Sequence, residues 1–230
     1  MAGVAEPLVN PKPTIEFLGG GRLFKSPRTR TQHRVLSGMH FTKASVGSAW
    51  IVDPSRHRDD RGHFQRAWCV QEFEQQGIDF LPVQANMQFS IRKGTVRGMH
   101  LQVEPAPEAK LVRCTRGAVF DVALDLRPDS PSYGEWCSVE LTAENGRMLY
   151  VPEQCAHGFQ SIEEHSEVLY LTSAFYAPEA VRGIRFDDPA FGIRWPLPVT
   201  SISEQDRNWP LNQAQSSLPT RNSILKESSL

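Results

Sequence analysis

The 230-residue sequence has few cysteines, no long apolar run and no excess of either charge. Its four cysteines are irregularly spaced without a CxxC pair, so neither a zinc knuckle nor a redox dithiol is indicated. The net charge of -1 implies no bulk attraction to nucleic acid or to a membrane. No apolar run approaches the ~20 residues that span a bilayer, and residues 1–13 lack the plan of a signal peptide. We therefore predict a cytoplasmic protein with reduced thiols, whose partners include neither nucleic acid nor a membrane.

Turn residues and short apolar runs are abundant. Seventeen prolines and sixteen glycines favour a turn-rich β protein over a helical bundle. The central part of the chain has the pattern of successive short strands; in residues 118–126, apolar side chains such as Phe120 and Val122 alternate with Asp121. No helical crossover of the length that parallel strands need separates these runs. We predict an all-β sandwich or jelly-roll barrel with a few short helices, the clearest over residues 70–77.

The composition divides the chain into three parts. Residues 1–44 contain prolines, a glycine run and scattered basic residues without a sustained period, which predicts an irregular or partly disordered extension. Its basic residues are not regularly interleaved with aromatic side chains, as a nucleic-acid surface would require. Residues 45–210 carry the strand pattern and form the predicted jelly-roll domain. Residues 211–230 are rich in Ser, Asn and Gln, which predicts a frayed tail.

Candidate catalytic side chains are centred on residues 97–102 (RGMHLQ). Histidine is the side chain whose ordinary pKa lies nearest neutrality, so His100 suits proton abstraction. Lys110 follows ten residues later, and a cation beside a base can stabilise an oxyanion or bind a phosphate. Tyr170, on a later predicted strand, suits proton delivery from a facing wall. Taken alone, a strand histidine more often forms hydrogen bonds within its sheet, and a strand tyrosine more often serves in packing.

A metal site is not indicated by the histidine spacing. A metal-binding jelly roll typically offers two histidines one residue apart, then a carboxylate and a distant histidine. Here His100 is followed by Leu101 and Gln102, so the paired histidine is absent. His157 has the place of a distant ligand, but it cannot complete a three- or four-ligand site by itself. We predict that the protein binds no metal.

Eight short segments occur in a specific order along the chain. They are DRGHF (60–64), RGMHLQ (97–102), AKLVR (109–113), GAVFDVALDLR (117–127), SPSYGEW (130–136), PEQCAHGF (152–159), DDP (187–189) and IRWP (193–196). From about residue 48 to about residue 210 the sequence therefore closely resembles the dTDP-4-dehydrorhamnose 3,5-epimerase family. This resemblance implies a cupin-type jelly roll, a homodimer and no cofactor. It also implies an epimerase that inverts C3, C5 or both of a nucleoside-diphosphate 4-keto-6-deoxysugar through an enolate.

The resemblance also implies roles for individual residues. By position, His100 matches the catalytic base, Asp206 the carboxylate paired with that base, Tyr170 the opposing acid and Lys110 the lysine near the sugar carbonyl. The residues that match positions binding the nucleotide-sugar substrate, or lining its cavity, are Arg61, Gln84, Asn86, Arg97, His157 and Tyr176.

Arg66 departs from the family pattern, which usually has a glutamate at this position. An arginine donates hydrogen bonds, which would suit a base with an acceptor at N3, such as cytosine. We therefore include Arg66 among the substrate-binding residues, and an epimerase of a single centre acting on a CDP-sugar or another NDP-sugar stays an alternative. A metal-dependent cupin and a non-catalytic jelly roll that binds sugar nucleotides are further alternatives.

Overall fold

The computed structural model describes residues 38–212. Thirteen strands form most of the regular secondary structure in this part of the chain. They are β1 (Met39–Lys43), β2 (Trp50–Pro54), β3 (Arg56–Asp59), β4 (Gly62–Gln65), β5 (Gln84–Ser90), β6 (Val96–Gln102), β7 (Lys110–Arg116), β8 (Ala118–Asp125), β9 (Trp136–Thr142), β10 (Met148–Val151), β11 (Cys155–Ser161), β12 (Ser166–Thr172) and β13 (Val181–Gly183). The helices are α1 (Val70–Glu74), α2 (Glu204–Arg207) and a single 3₁₀ turn, Pro178–Ala180. Within residues 38–212, no helix is long and apolar enough to cross a membrane.

Two antiparallel sheets form the body of the domain. The six-stranded sheet has the order β1-β2-β10-β7-β12-β5, and the five-stranded sheet has the order β13-β6-β11-β8-β9. Their facing sides share one buried apolar cluster, to which both sheets contribute; its members include Val112, Cys114, Val119, Ala123, Phe159 and Val168. Most strands that are adjacent in space are not consecutive in sequence, as in a jelly roll, and the prediction of a cupin-type jelly-roll fold is confirmed.

The outer sides of both sheets are partly covered. Phe73 of α1 and Phe80 pack with Tyr150 against the outside of the six-stranded sheet. Phe191, in the segment that follows β13, packs with Leu124 on the outside of the five-stranded sheet. Strand β8 is therefore covered on both of its faces, so Asp121 and Asp125 are buried although they alternate with apolar residues.

Several element boundaries differ from the predicted ones. Residues 39–43, which we assigned to the irregular extension, form β1 and pair with β2. Phe41 explains this pairing, because it packs edge-on against Trp50 and Phe73. A single aromatic residue in a short polar strand gives too little alternation to predict the strand. The remaining predictions for residues 1–37 and 213–230 lie outside the described residues.

Candidate active site

A cavity of about 220 Å³ opens between the two sheets. Alternate residues of β5 face it, because side chains along a strand point to opposite sides in turn. Its lining consists of Gln84, Asn86, Gln88, His100, Leu101, Gln102, Glu108, Lys110, Tyr170, Tyr176, Val181 and Gln205. A smaller cavity of about 40 Å³ shares four of these residues and adds Arg97, His157 and Phe159. Eight predicted site residues therefore line one continuous region, and Asp206 lies behind one of them.

His100 of β6 is held by a buried carboxylate from α2. Its Nε2 lies 2.5 Å from Oδ1 of Asp206, and the backbone N–H of Gly98 donates to Oδ2 at 3.2 Å. The Ser203 hydroxyl caps α2 by accepting from the Asp206 N–H at 3.0 Å, which fixes the carboxylate relative to the sheet. The Asp206 side chain is 7% exposed and that of His100 is 37% exposed, so only the imidazole reaches the cavity.

The electrostatics of this pair favour an ionised carboxylate, which orients the imidazole through their hydrogen bond. Burial by itself raises the pKa of Asp206, but the hydrogen bond from His100 and the Gly98 amide outweigh it, so this pKa lies below its usual range. An ionised Asp206 accepts a hydrogen bond from Nε2–H and leaves Nδ1 as the basic nitrogen of the ring. The pair can therefore act as an oriented general base.

Position 98, two residues before the histidine, leaves no room for a side chain. Its φ is +111°, and a Cβ added there would lie 2.6 Å from the Gly158 Cα and 2.7 Å from the His157 carbonyl oxygen. Strands β6 and β11 therefore approach more closely at this point than a side chain allows. The close approach places His100 and His157 opposite each other as register partners.

Lys110 and Tyr170 project from β7 and β12 of the facing sheet. The Lys110 side chain is 8% exposed, and its Nζ donates to Oε1 of Glu108 at 2.5 Å. Burial lowers the pKa of Lys110, while the adjacent Glu108 carboxylate opposes that effect. Burial raises the pKa of Tyr170, and Glu108 raises it further, while Arg97 lowers it, so the phenol keeps its proton at neutral pH. A base, a cation and a phenol thus surround one space.

A second carboxylate–imidazole pair lies at the inner end of the cavity. His157 Nε2 is 2.8 Å from Oδ1 of the fully buried Asp121. Burial raises the pKa of Asp121, and the neighbouring His157 counteracts only part of this effect. Within residues 38–212, the second carboxylate oxygen of Asp121 has no hydrogen-bond partner. Asp121 thus orients the His157 ring towards the smaller cavity.

Polar side chains define the mouth of the cavity. The Arg97 guanidinium donates to the Ser90 hydroxyl at 3.1 Å and to the Phe89 carbonyl at 2.9 Å, which ties β6 to the edge strand of the other sheet. Gln84 accepts from the Tyr176 N–H at 3.2 Å. The Gln84 amide in turn donates to the Asn86 side chain at 3.0 Å. The backbone of Tyr176 is thereby held beside two amide side chains, while its ring is exposed.

Two predicted substrate-binding residues are not brought to this cavity within one chain. Arg61 lies in the turn between β3 and β4, is 85% exposed and pairs with Asp59 at 2.6 Å. Arg66 pairs with Glu72, whose other carboxylate oxygen accepts from the Met39 N–H at 2.6 Å. Neither arginine lines the two cavities described above. Their assignment to the substrate stays a prediction that a single chain does not support.

Glu108 and Gln102 are site residues that the sequence analysis missed. Glu108 precedes Lys110 by two residues, a spacing that would have placed both side chains on one side of an extended segment. The buried Gln102 lies two residues after His100, and its side chain bonds to three backbone groups of two rim loops. Hydrogen bonds of this kind depend on tertiary contacts, so only the two-residue spacing could have indicated either residue.

No group of three His, Cys, Asp or Glu side chains suited to a metal ion occurs in the part of the chain that the structure describes.

The fold and the site together define a cupin-type jelly-roll protein of the carbohydrate-epimerase class, with a carboxylate-bound histidine, a lysine and a tyrosine around one cavity. A family model described as dTDP-4-dehydrorhamnose 3,5-epimerase matches residues 43–213. The chain belongs to the dTDP-4-dehydrorhamnose 3,5-epimerase family, and the resemblance found in the sequence is confirmed.

Individual relatives agree with this assignment. The chain is 43% identical to a dTDP-4-dehydrorhamnose 3,5-epimerase of Sinorhizobium fredii, over 76% of this chain and 90% of the relative. It is 36% identical to a dTDP-4-dehydrorhamnose 3-epimerase of Streptomyces niveus, over 74% of this chain and 82% of the relative. A crystal structure of a dTDP-4-dehydrorhamnose 3,5-epimerase from Bacillus anthracis, with TDP and PPi bound, is 34% identical. It superimposes with a TM-score of 0.74 over 76% of this chain and 100% of that chain.

Proposed function

We propose that this protein is an epimerase that inverts C3, C5 or both of a dTDP-4-keto-6-deoxysugar, by removing a proton and returning one to the opposite face. The observation that carries the proposal is the His100–Asp206 pair, whose imidazole faces Lys110 and Tyr170 across one cavity. Family membership supports the substrate class. The proposed chemistry requires no metal and no organic cofactor.

The keto group at C4 explains the need for a base. It acidifies the protons on both neighbouring carbons, because the electron pair released from carbon is delocalised onto O4 as an enolate. We assign the proton abstraction to Nδ1 of His100, whose other nitrogen is held by Asp206. The buried, ionised carboxylate stabilises the imidazolium that forms when the proton arrives.

The facing sheet supplies the other two functions. Lys110 is assigned to the enolate oxygen, where an ammonium ion in a poorly hydrated cavity stabilises the developing negative charge. Tyr170 is assigned to the return of a proton on the face opposite His100, because its phenol stays protonated and lines the same cavity. Delivery from the opposite face inverts the carbon.

The remaining cavity residues suit the nucleoside-diphosphate part of the substrate. Arg97 and His157 are assigned to the diphosphate, since a guanidinium and an imidazole can both donate to phosphate oxygens. Gln84, Asn86 and Tyr176 are assigned to the nucleoside, because amides provide paired donors and acceptors and an exposed aromatic ring can stack on a base.

We further propose a homodimer in which a second copy packs against the outer face of β5. This strand is an edge of the six-stranded sheet. Odd-numbered apolar residues within this strand and at its two ends are largely exposed: Leu81 (61%), Val83 (44%), Met87 (60%), Phe89 (43%) and Ile91 (64%). A continuous apolar face on an edge strand is typical of a protein interface. If Arg61 and Arg66 contact nucleotide, they do so in such an assembly, because one chain keeps them outside its own cavity.

We also place the enzyme in the cytoplasm, where its substrates would be made. All four cysteines are unpaired thiols, three of them buried, which is the state expected in a reducing compartment.

Solvent-isotope incorporation tests the proposed reaction. Incubation of the protein with a dTDP-4-keto-6-deoxyhexose in deuterated water should place deuterium at C3, at C5 or at both, as read by mass and proton-resonance spectra. His100→Ala should abolish this exchange. Absence of label with this substrate and with other NDP-4-ketosugars would refute the proposal.

The position of the label also separates double from single inversion. A relative that acts as a 3-epimerase makes single inversion the second candidate. Label and inverted configuration at C3 alone would identify that activity. A parallel comparison of dTDP and CDP binding tests the base preference. The family favours dTDP, while tighter binding of CDP would support a cytosine-reading role for Arg66.

A further inference from the structure

Glu108 is a largely buried acidic residue to which the proposed reaction assigns no role. Its side chain is 12% exposed, lines the cavity and lies 2.5 Å from the Lys110 ammonium group. In the described part of the chain, this carboxylate is the hydrogen-bonding partner of Lys110. An ammonium ion has three N–H donors, so one bond to Glu108 leaves two for a ligand in the cavity.

The backbone fixes this arrangement. Between the two residues, the Ala109 N–H donates to the Ser173 hydroxyl at 2.8 Å, and the Ser173 N–H donates to the Ala109 carbonyl at 3.0 Å. These bonds extend the pairing of β7 with the chain after β12. An extended backbone at Ala109 directs residues 108 and 110 to the same side, which is the side of the cavity.

The Glu108 carboxylate and the burial of Lys110 have opposite effects on the pKa of Lys110. Burial lowers the pKa of Lys110, because a lone ammonium ion is poorly solvated in a closed cavity. The charge and hydrogen bond of Glu108 raise the same pKa. A neutral amine has no positive charge with which to stabilise an enolate. The balance between burial and the Glu108 charge therefore decides whether Lys110 can stabilise the enolate.

Tyr170 depends on the same carboxylate. The negative charge of Glu108 disfavours ionisation of the phenol and raises the pKa of Tyr170, in addition to the larger effect of burial. One acidic side chain thus favours the protonated form of both groups on the wall that faces His100.

We propose that Glu108 is a positioning residue that holds Lys110 as an ammonium ion directed into the cavity and keeps the phenol of the neighbouring Tyr170 protonated. This inference rests on the epimerase function proposed above. Other charged or titratable groups face Lys110 from the elements around it: Arg97 and His100 from β6, His157 from β11, Tyr170 from β12, and Tyr176 from the rim.

The pH profile of the exchange reaction tests the proposal. In Glu108→Gln the opposing charge is lost, so the pKa of Lys110 falls and the ammonium ion loses its proton at lower pH. We expect the alkaline limb of kcat/KM to move down by about one to three pH units, with activity retained below it. Glu108→Asp keeps a carboxylate and should shift the limb less. Glu104→Gln, an exposed glutamate of the same loop, is the matched control and should leave the profile unchanged.

A purely structural role would reduce activity equally at every pH, and an alkaline limb of Glu108→Gln that coincides with the wild-type limb would overturn the proposal. A second readout does not require turnover. In protein labelled with ¹³C at lysine Cε, the resonance lost in Lys110→Arg reports its titration, which should occur at lower pH in Glu108→Gln, or in Glu108→Asp if the first variant does not fold. Wild-type protein that exchanges no deuterium would refute the epimerase function, whereas an unchanged lysine titration would refute the role of Glu108 alone.

Discussion

His100 and Asp206 are 106 residues apart in the sequence, and their side chains meet at 2.5 Å. The histidine belongs to a central strand of the five-stranded sheet, while the aspartate belongs to a one-turn helix near the end of the described chain. The pair therefore forms only when the C-terminal segment has docked on the five-stranded sheet.

Asp206→Asn should lower the rate of deuterium exchange by at least about 100-fold, because an amide can hold the imidazole in the wrong tautomer and does not stabilise the imidazolium. Glu204→Gln, on the exposed side of the same helix, is the control and should exchange at the wild-type rate. Equal exchange rates in Asp206→Asn and the control would contradict the assignment of Asp206 as the partner of the base.

Tyr170→Phe should separate exchange from inversion. The variant keeps His100 and Lys110, so label should still enter the substrate from the side of the base, while formation of the inverted product falls by roughly 100-fold or more. Proton spectra of the sugar distinguish labelled substrate from labelled epimer. Tyr133→Phe alters a partly exposed tyrosine that does not line either cavity and should change neither quantity. Undiminished inversion in Tyr170→Phe would exclude the phenol as the acid.

Gly98→Ala should destabilise the fold by about 3 kcal/mol or more, since strain at positive φ adds to overpacking between two strands. Gly192→Ala provides the comparison, because its φ of +60° is also positive while no atom lies within 4 Å of the added Cβ. That variant should lose only about 1–2 kcal/mol. Urea unfolding of both variants measures the difference in the free energy of unfolding. Equal losses would show that the close approach of β6 and β11 adds nothing to the cost of the Gly98 substitution.

Asp125 should make the protein less stable as the pH falls into the acid range. Burial raises its pKa, but hydrogen bonds from Arg127, Ser130 and Ser132 outweigh burial and hold this pKa well below its usual range. A carboxylate whose pKa is lower in the folded state stabilises the fold at pH values above its unfolded pKa of about 3.9. This contribution is lost as the pH falls through the folded-state pKa.

Asp125→Asn should therefore cost about 2–3 kcal/mol at pH 7, and the difference from wild type should shrink below about pH 4. The exposed Asp129→Asn in the same loop serves as the control. Unfolding free energies measured at both pH values provide the test; a cost that does not change with pH would mean that the charge of Asp125 is not stabilising.

Met87→Lys should weaken the proposed homodimer, because a charge in the centre of the β5 face must be buried on association. Sedimentation at several concentrations should show dimers for the wild-type protein and a larger share of monomers for the variant. Tyr133→Lys places a charge on a different partly exposed aromatic position and should leave the association unchanged. A wild-type protein that sediments as a monomer would refute the interface.

The sequence predicted those parts of the fold that follow from local periodicity. Alternation in residues 118–126 predicted β8, and the turn residues around it predicted an antiparallel barrel. Alternation could not show that residues 184–195 cover the outer face of that strand, so the interior position of Asp121 emerges only from packing. Strand β1 was missed because its assignment depends on contacts of Phe41 with Trp50 and Phe73 rather than on its own pattern.

The site was predictable to a similar extent. Spacing indicated a histidine with nearby cations, but nothing local connects His100 with Asp206, and that pair came from the resemblance of a short segment. The same resemblance included Arg61, and the departure from the family pattern at Arg66 added that residue. The folded chain directs both arginines away from the cavity, towards Asp59 and Glu72. Glu108 was missed because no motif includes it and its importance depends on how deeply its neighbour is buried.

The C-terminal segment is fixed to the barrel by bonds from Leu197 to Gln160 and from Thr200 to Gly94, and it then delivers Asp206 to the histidine. During synthesis on a ribosome this segment emerges after every strand of both sheets. A nascent chain therefore contains every strand and the cavity-lining amides of β5 before it contains the carboxylate partner of His100. Asp206 is thus the last member of the candidate site to be synthesised, and the His100–Asp206 pair forms only after α2 has been translated.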